Sequence, residues 1–238
     1  MANLTRLKML EGLNGMLLVD KPAGLPFTTV VKTVKRKFNL VKVGHGGSLD
    51  AMASGLLVIL VNDANMLVSD VMGADRDYVG AMRLGRRTNT GDAHGETVRE
   101  SEPTFPEERL DAALAEFRGD LFQTEPRFCS VRREDRSVYE IADTGEHSQF
   151  LAHVYRLKVG TAEGGRLDFE VSGTRSLIVR ALVDGFGEVL GCGACLESLR
   201  RVRIGRFDVA DAVPFERLLE TDIGDFASCV KPMSAFLR

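Results

Sequence analysis

The chain predicts an α+β fold with a mostly antiparallel sheet flanked by helices, and three observations carry that prediction. Helical and strand periodicities mix without the regular βαβ alternation of a parallel sheet. Tyr155-Arg156-Leu157-Lys158-Val159 and Arg166-Leu167-Asp168-Phe169-Glu170-Val171 alternate apolar with charged residues on either side of Gly164-Gly165, which predicts an antiparallel hairpin. Three segments, over residues 28–38, 106–118 and 179–190, place apolar residues at helical spacing.

In chain order, Gly15-Met16-Leu17-Leu18-Val19-Asp20 reads as a first strand, stopped by Pro22 and Gly24. Residues 28–38 follow as a helix with Val30, Val31, Val34 and Phe38 on its apolar stripe and lysines opposite. Leu56-Leu57-Val58-Ile59-Leu60-Val61 is the longest apolar run and fits a buried strand. Residues 63–71 fit a helix, and residues 76–84 alternate as a strand. Leu110, Ala113, Leu114 and Phe117 define a helix that Gly119 stops. Val179, Leu182, Val183, Phe186 and Leu190 define another, and residues 199–207 read as a late strand. Residues 121–149 carry too much arginine and too little apolar pattern to be core.

The 238-residue chain, 44% apolar and 27% charged, has the composition of a soluble globular protein, expected in the cytoplasm. No apolar run approaches the ~18 residues that a bilayer span needs. The net charge of −3 is mildly acidic. The basic residues cluster, however, at Lys32, Lys35, Arg36, Lys37 and Lys42; at Arg83, Arg86 and Arg87; at Arg127, Arg132, Arg133 and Arg136; and at Arg200, Arg201, Arg203 and Arg206. Such clustering fits either a nucleic-acid footprint or ordinary solvated charge. Cys192 and Cys195 have the spacing of metal and redox pairs, but no second ligand pair stands near them in the sequence, so they are read as free thiols.

The most informative stretch is Gly44-His45-Gly46-Gly47-Ser48-Leu49-Asp50. It sets one carboxylate between a glycine-rich turn and an apolar run. The glycines permit positive φ and close approach of a ligand, and an Asp so placed suits a nucleophile or acid/base. The plain alternative is an Asp capping a helix that starts at Ala51.

Gly44-His45-x-Gly47-x-Leu49-Asp50 with Ser54-Gly55-Leu56-Leu57 resembles the active-site motif of the tRNA pseudouridine synthase B (TruB) family. So do Asp20-Lys21-Pro22-Ala23-Gly24, Tyr78, the run from Leu84-Gly85 through Thr90-Gly91-Asp92 to Gly95, residues 180–194, and Leu199-Arg200-Arg201-Val202-Arg203-Ile204-Gly205. The resemblance covers about residues 13–210. It implies the pseudouridine synthase fold, with the active cleft across the middle of a mixed sheet. It implies isomerisation of uridine to pseudouridine in a structured RNA, at position 55 in the tRNA T-loop, by a monomer that binds the T-arm and needs neither cofactor nor metal. By the same resemblance Asp50 attacks the sugar or stabilises the cation formed there, Arg180 pairs with it, and Tyr78 stacks on the base. His45 fills the space the flipped base leaves, Lys21 contacts phosphate or supports the turn, and Leu199 packs on the base. By the resemblance the segment 121–149 is the RNA clamp, a flexible loop that orders on binding, with Arg127, Arg132 and Arg133 on phosphates.

Several positions depart from the family pattern. Ile178 stands where the pocket tyrosine is expected, Cys129-Ser130-Val131-Arg132 replaces the clamp's usual pattern, Pro26-Phe27 replaces a serine pair, and Ala51 replaces a proline. These changes bear on substrate identity and rate. The expected layout is a catalytic domain over residues 1–212 and a short extension over 213–238 with no separate RNA-binding domain. Alternatives are the same reaction on another RNA, an RNA-binding or RNA-folding protein with little catalysis, and a dithiol redox protein using Cys192 and Cys195.

Overall fold

In the computed structural model of the chain, the described residues are 12–124, 128–133, 136–141 and 149–237. In order they form β1 (Gly15–Lys21), α1 (Phe27–Lys37), β2 (Val43–His45), β3 (Ser54–Val61), a 3-10 segment (Asn62–Leu67), α2 (Val68–Gly73), β4 (Arg76–Leu84), β5 (Arg86–Thr88) and β6 (Thr97–Glu100). There follow α3 (Glu107–Glu116), β7 (Gly119–Thr124), β8 (Phe128–Arg133), β9 (Arg136–Ile141), β10 (Gln149–Val159), β11 (Arg166–Gly173), α4 (Val179–Leu190) and β12 (Ala194–Ile204). The last elements are β13 (Phe207–Asp208), β14 (Val213–Pro214), α5 (Phe215–Glu220), α6 (Phe226–Cys229), β15 (Val230–Pro232) and α7 (Ser234–Leu237). These elements gather into two compact units, residues 12–74 with 200–237, and residues 75–199.

In the first unit β1 and β3 pair antiparallel from Gly15↔Val61 to Lys21↔Gly55. Side chains alternate across a strand, and here both faces are covered. Leu17, Val19, Leu57, Ile59 and Val61 pack with Val30 and Val34 of α1, with Phe38 just after it, and with Phe215 and Phe226. Met16, Leu18, Leu56, Val58 and Leu60 pack with Ala64, Val71, Ile204 and Phe207. Burial on both faces is why residues 56–61 are apolar without alternation. β2 joins β3 antiparallel, and the last residues of β12 join it in parallel through Arg200↔Ser54 and Arg201↔Gly55.

In the second unit β4 pairs with β11 from Arg166↔Arg83 to Gly173↔Arg76, and β11 pairs with β10, giving the hairpin expected around Gly164-Gly165. β7 pairs with β10, and β5 with β6 in a separate ribbon. Phe117, the residue that ends α3, meets Phe186 of α4 edge to face with ring centres 5.7 Å apart.

Three expectations need correction. Residues 121–149 are not one flexible loop, because β7 runs to Thr124 and β8–β9 form an antiparallel hairpin from Phe128↔Ile141 to Arg133↔Arg136. No helix starts at Ala51; the chain turns there and enters β3 at Ser54. The late strand begins at Ala194, five residues before the predicted start, since Ala194, Cys195 and Leu196 are buried there.

Candidate active site

Asp50 lies in the first unit on the turn between β2 and β3. Gly46 N–H donates to the Val58 carbonyl at 2.8 Å, which holds the start of the turn against β3, and Ala53 N–H donates to the Asp50 carbonyl at 3.1 Å, which closes it. The glycines act differently from the sequence expectation. Only Gly47 takes a positive φ, at 129°. Gly44 and Gly46 are small because Asn65 and Val71 occupy the space a side chain would need. These two glycines serve close packing, and ligand access does not explain them.

Two buried cations fix this turn. Lys21, 0% exposed at the end of β1, donates from Nζ to the carbonyls of Pro22 (2.8 Å), Leu25 (2.7 Å) and Ala51 (3.3 Å). It therefore ties the Lys-Pro turn to the residue after Asp50. Burial, then the Arg201 charge, bring its pKa down to about 8, against an opposing pull from Asp50. Arg201, also 0% exposed, donates to the carbonyls of Leu56 (2.8 Å), Ser48 (2.7 Å) and Gly47 (3.4 Å). Arg200 makes a two-pronged bond to the Asp20 carboxylate at 2.9 and 2.7 Å. The basic cluster 200–206 is thus not simply a solvated face: one arginine is in the core and its neighbour is paired.

His45 ends β2, and its Nδ1 accepts from Gly47 N–H at 3.3 Å. Its ring meets Phe27 edge to face at 4.8 Å, so the residue that replaces a family serine becomes a support for the imidazole. Burial, and after it the Arg201 charge, lower the His45 pKa below the ordinary histidine value, which leaves the ring neutral at pH 7.

The second unit carries Tyr78, Arg180, Ile178 and Leu199. Tyr78 is buried in β4 opposite Val171. Leu199 is buried in β12, whose Ser198 carbonyl presses on Gly80 of β4. Arg180 sits in the first turn of α4, is buried, and donates from Nη1 to the Thr90 carbonyl at 2.9 Å. The same face of α4 presents Asp184 and Glu188, four and eight residues on. Arg87 grips Asp184 at 2.7 and 2.9 Å, and Arg99 grips Glu188 at 2.6 and 3.3 Å, so the β5–β6 ribbon is laced to the helix. A groove of about 780 Å³ opens here, lined by Asn89, Thr90, Phe122, Gln123, Arg180 and Asp184 among others.

Two residues in this unit were given no role by the sequence reading. Asp92 is 1% exposed; its Oδ1 accepts from the Thr90 hydroxyl and from His94 N–H, both at 3.0 Å. It is a buried carboxylate within the turn that holds Arg180, and the Thr-x-Asp spacing of an Asx-type turn was its signal. Gln123, expected in a flexible clamp, is buried, and its side-chain amide brackets Ile178 by accepting from its N–H at 2.9 Å and donating to its carbonyl at 3.1 Å. Ile178 therefore supports the start of α4 through its backbone.

Arg127 lies outside the described residues. Arg132 and Arg133 lie on β8, opposite Ser137 and Arg136 in register. Cys192 and Cys195 are free and buried, and burial pushes the Cys195 thiol up. A dithiol redox centre needs accessible, low-pKa thiols, so that alternative is set aside. Among the described residues no helix is long and apolar enough to cross a membrane.

Comparisons with known proteins show what the chain is similar to. Residues 35–177 match the TruB family pseudouridylate synthase (N terminal domain) model, and residues 180–238 match the tRNA pseudouridylate synthase B C-terminal domain model. The chain is 34% identical over 227 residues to tRNA pseudouridine synthase B of Azoarcus sp. (strain BH72), covering 94% of this chain and 76% of the relative. It is 36% identical over 211 residues to the protein of that name from Citrobacter koseri, covering 87% and 67%. Among solved structures, a Cbf5-Nop10-Gar1 complex superposes with a TM-score of 0.68 at 25% identity, covering 95% of this chain and 62% of the other. The archaeal box H/ACA sRNP Nop10-Cbf5 complex gives 0.67 at 26% identity, with coverages of 95% and 62%. The chain thus spans about three fifths of the length of those solved chains, and its fold is theirs.

Proposed function

The chain belongs to the TruB family of pseudouridylate synthases, a family of isomerases, and we propose that it converts uridine to pseudouridine in tRNA, at position 55 of the T-loop. The reaction breaks the bond from the ribose C1′ to N1 of uracil, turns the ring, and forms the bond from C1′ to C5. The C5 proton leaves and N1 regains one, so nothing is gained or lost overall. Asp50 acts at C1′, either as nucleophile or as the charge beside the developing cation. Arg180 supplies a fixed cation for the reacting centre, and Tyr78 stacks on the base, a contact worth about 1–3 kcal/mol.

The observation that supports this reading best is the fixed Asp50 turn, since positioning a reacting group in advance removes much of the barrier. A target base lies inside a folded loop and must be everted, at a cost of a few kcal/mol. The neutral ring of His45, braced by Phe27, suits the role of filling the space left behind. The β8–β9 hairpin, with Arg132 and Arg133, is the part proposed to meet the phosphates of the T-arm.

Asp50→Asn tests the assignment, because it keeps the shape and removes the charge. Incubated with unmodified tRNA transcripts and mapped base by base, wild-type protein is expected to give pseudouridine at position 55. The variant is expected to give none above background while still binding the transcript. Wild-type turnover by Asp50→Asn would discard the role given to this carboxylate.

A further inference from the structure

We propose that Arg201 is the positioning residue of the reacting carboxylate, its guanidinium riveting the two limbs of the turn that aims Asp50. The inference rests on the reading of Asp50 as the reacting group. Arg201 comes from β12, 145 residues beyond Leu56 in the chain, yet it is wholly enclosed by the first unit's core. Nε donates to the carbonyl of Leu56, at the exit of the turn. Nη1 and Nη2 donate to the carbonyls of Ser48 and Gly47, at its entry. Asp50 lies between these anchor points.

A planar fork with five fixed donors is suited to this task, whereas an ammonium offers its donors from a single point. The backbone is shaped to receive it. Gly55 pairs with Arg201 in parallel register at a φ of 101°, and any side chain at 55 would overlap the Arg201 backbone. The far side of the turn is held by Lys21 at Ala51. Three carbonyls of the turn, at 47, 48 and 51, therefore face buried cations. A displacement of about 1 Å in a reacting group can cost about 100-fold in rate, so loosening the rivet acts on chemistry before it acts on binding.

The test compares Arg201→Gln and Arg201→Lys with wild type and Asp50→Asn. It measures single-turnover pseudouridine formation on an unmodified tRNA transcript, transcript affinity, and amide hydrogen exchange at residues 46–53. Arg201→Gln is expected to lose about 100-fold in rate with affinity changed by less than about twofold. Exchange is expected to accelerate at 46–53 and not in β4 or β11, and Arg201→Lys is expected to recover part of the rate. A folded Arg201→Gln that reacts at the wild-type rate, or whose loss is restored by saturating RNA, overturns the proposal. If the glutamine variant does not fold, Arg201→Lys decides, and wild-type rate with wild-type exchange overturns it. A wild-type protein that forms no pseudouridine removes the functional reading instead, and the exchange data still judge the anchoring.

Discussion

The turn that carries Asp50 and the helix that carries Arg180 are both held by arginine or lysine, but by opposite means. In the first unit, at the Asp50 turn, the two cations, Lys21 and Arg201, are wholly enclosed and their partners are backbone carbonyls. In the second, Arg87 and Arg99 remain about 40% exposed in their side chains, and their partners are the carboxylates of Asp184 and Glu188. An enclosed donor that is lost costs about 1–3 kcal/mol for each carbonyl left without another partner, and of Lys21's three the Ala51 carbonyl keeps one in Gly24 N–H at 2.7 Å. An exposed ion pair contributes about 0–1 kcal/mol and weakens as salt screens it. The first arrangement fails as a whole when one member goes, and the second yields by degrees.

The largest effect expected from this contrast belongs to Lys21→Met. It removes the donor to Pro22, Leu25 and Ala51 together, and chemical denaturation should show a loss of about 3 kcal/mol or more. A loss below about 1 kcal/mol would erase the distinction between the two regions.

A pH titration sharpens it next. Protonated Lys21 has three N–H groups for three carbonyls; above its pKa of about 8 it has two. The reaction rate is expected to fall as pH rises through about 8, and Arg201→Gln should move that fall to higher pH, since the Arg201 charge helps hold the value down. The stability contribution has the other sign. The folded pKa lies below the ordinary 10.5, so between about 8 and 10.5 the unfolded chain holds the proton more tightly and this group's contribution to stability rises with pH. Rate and melting profiles recorded together on wild type and Arg201→Gln check both signs.

The smallest effect is expected from Asp184→Asn and Glu188→Gln. Each should destabilise by less than about 1 kcal/mol in low salt, and the difference should shrink toward zero in molar salt. Thermal melts at two salt concentrations measure it. A large, salt-independent loss would mean that the ribbon and α4 are locked as tightly as the Asp50 turn.

Periodicity exposed most of the elements, because helix and strand patterns report which side chains face a core. The strand at 76–84, the helix at 179–190 and the hairpin around Gly164-Gly165 stand where the sequence puts them. Asp50, Tyr78 and Arg180 were singled out by the motifs around them, and their roles are the proposal made above. What stayed hidden depends on contacts distant in sequence. Arg201 looked like one more charge in a basic run, and only its pairing with β3 shows it to be a core residue. Gln123 lay in a segment without apolar pattern, and its value comes from Ile178, 55 residues away. Gly44 and Gly46 were misread for the same reason: the side chains that exclude a methyl there belong to the 3-10 segment and α2.

The long reach of Arg201 has a consequence for biosynthesis. Ser48 leaves the ribosome 153 residues ahead of the side chain that must grip it. A nascent protein therefore carries the complete glycine-rich motif through most of its translation with its geometry still unset. The turn gains this anchor late, when the strand bearing residues 200 and 201 docks beside Ser54 and Gly55. Premature termination before that strand would release a product whose signature is intact on paper and whose Asp50 turn lacks the side chain that grips it.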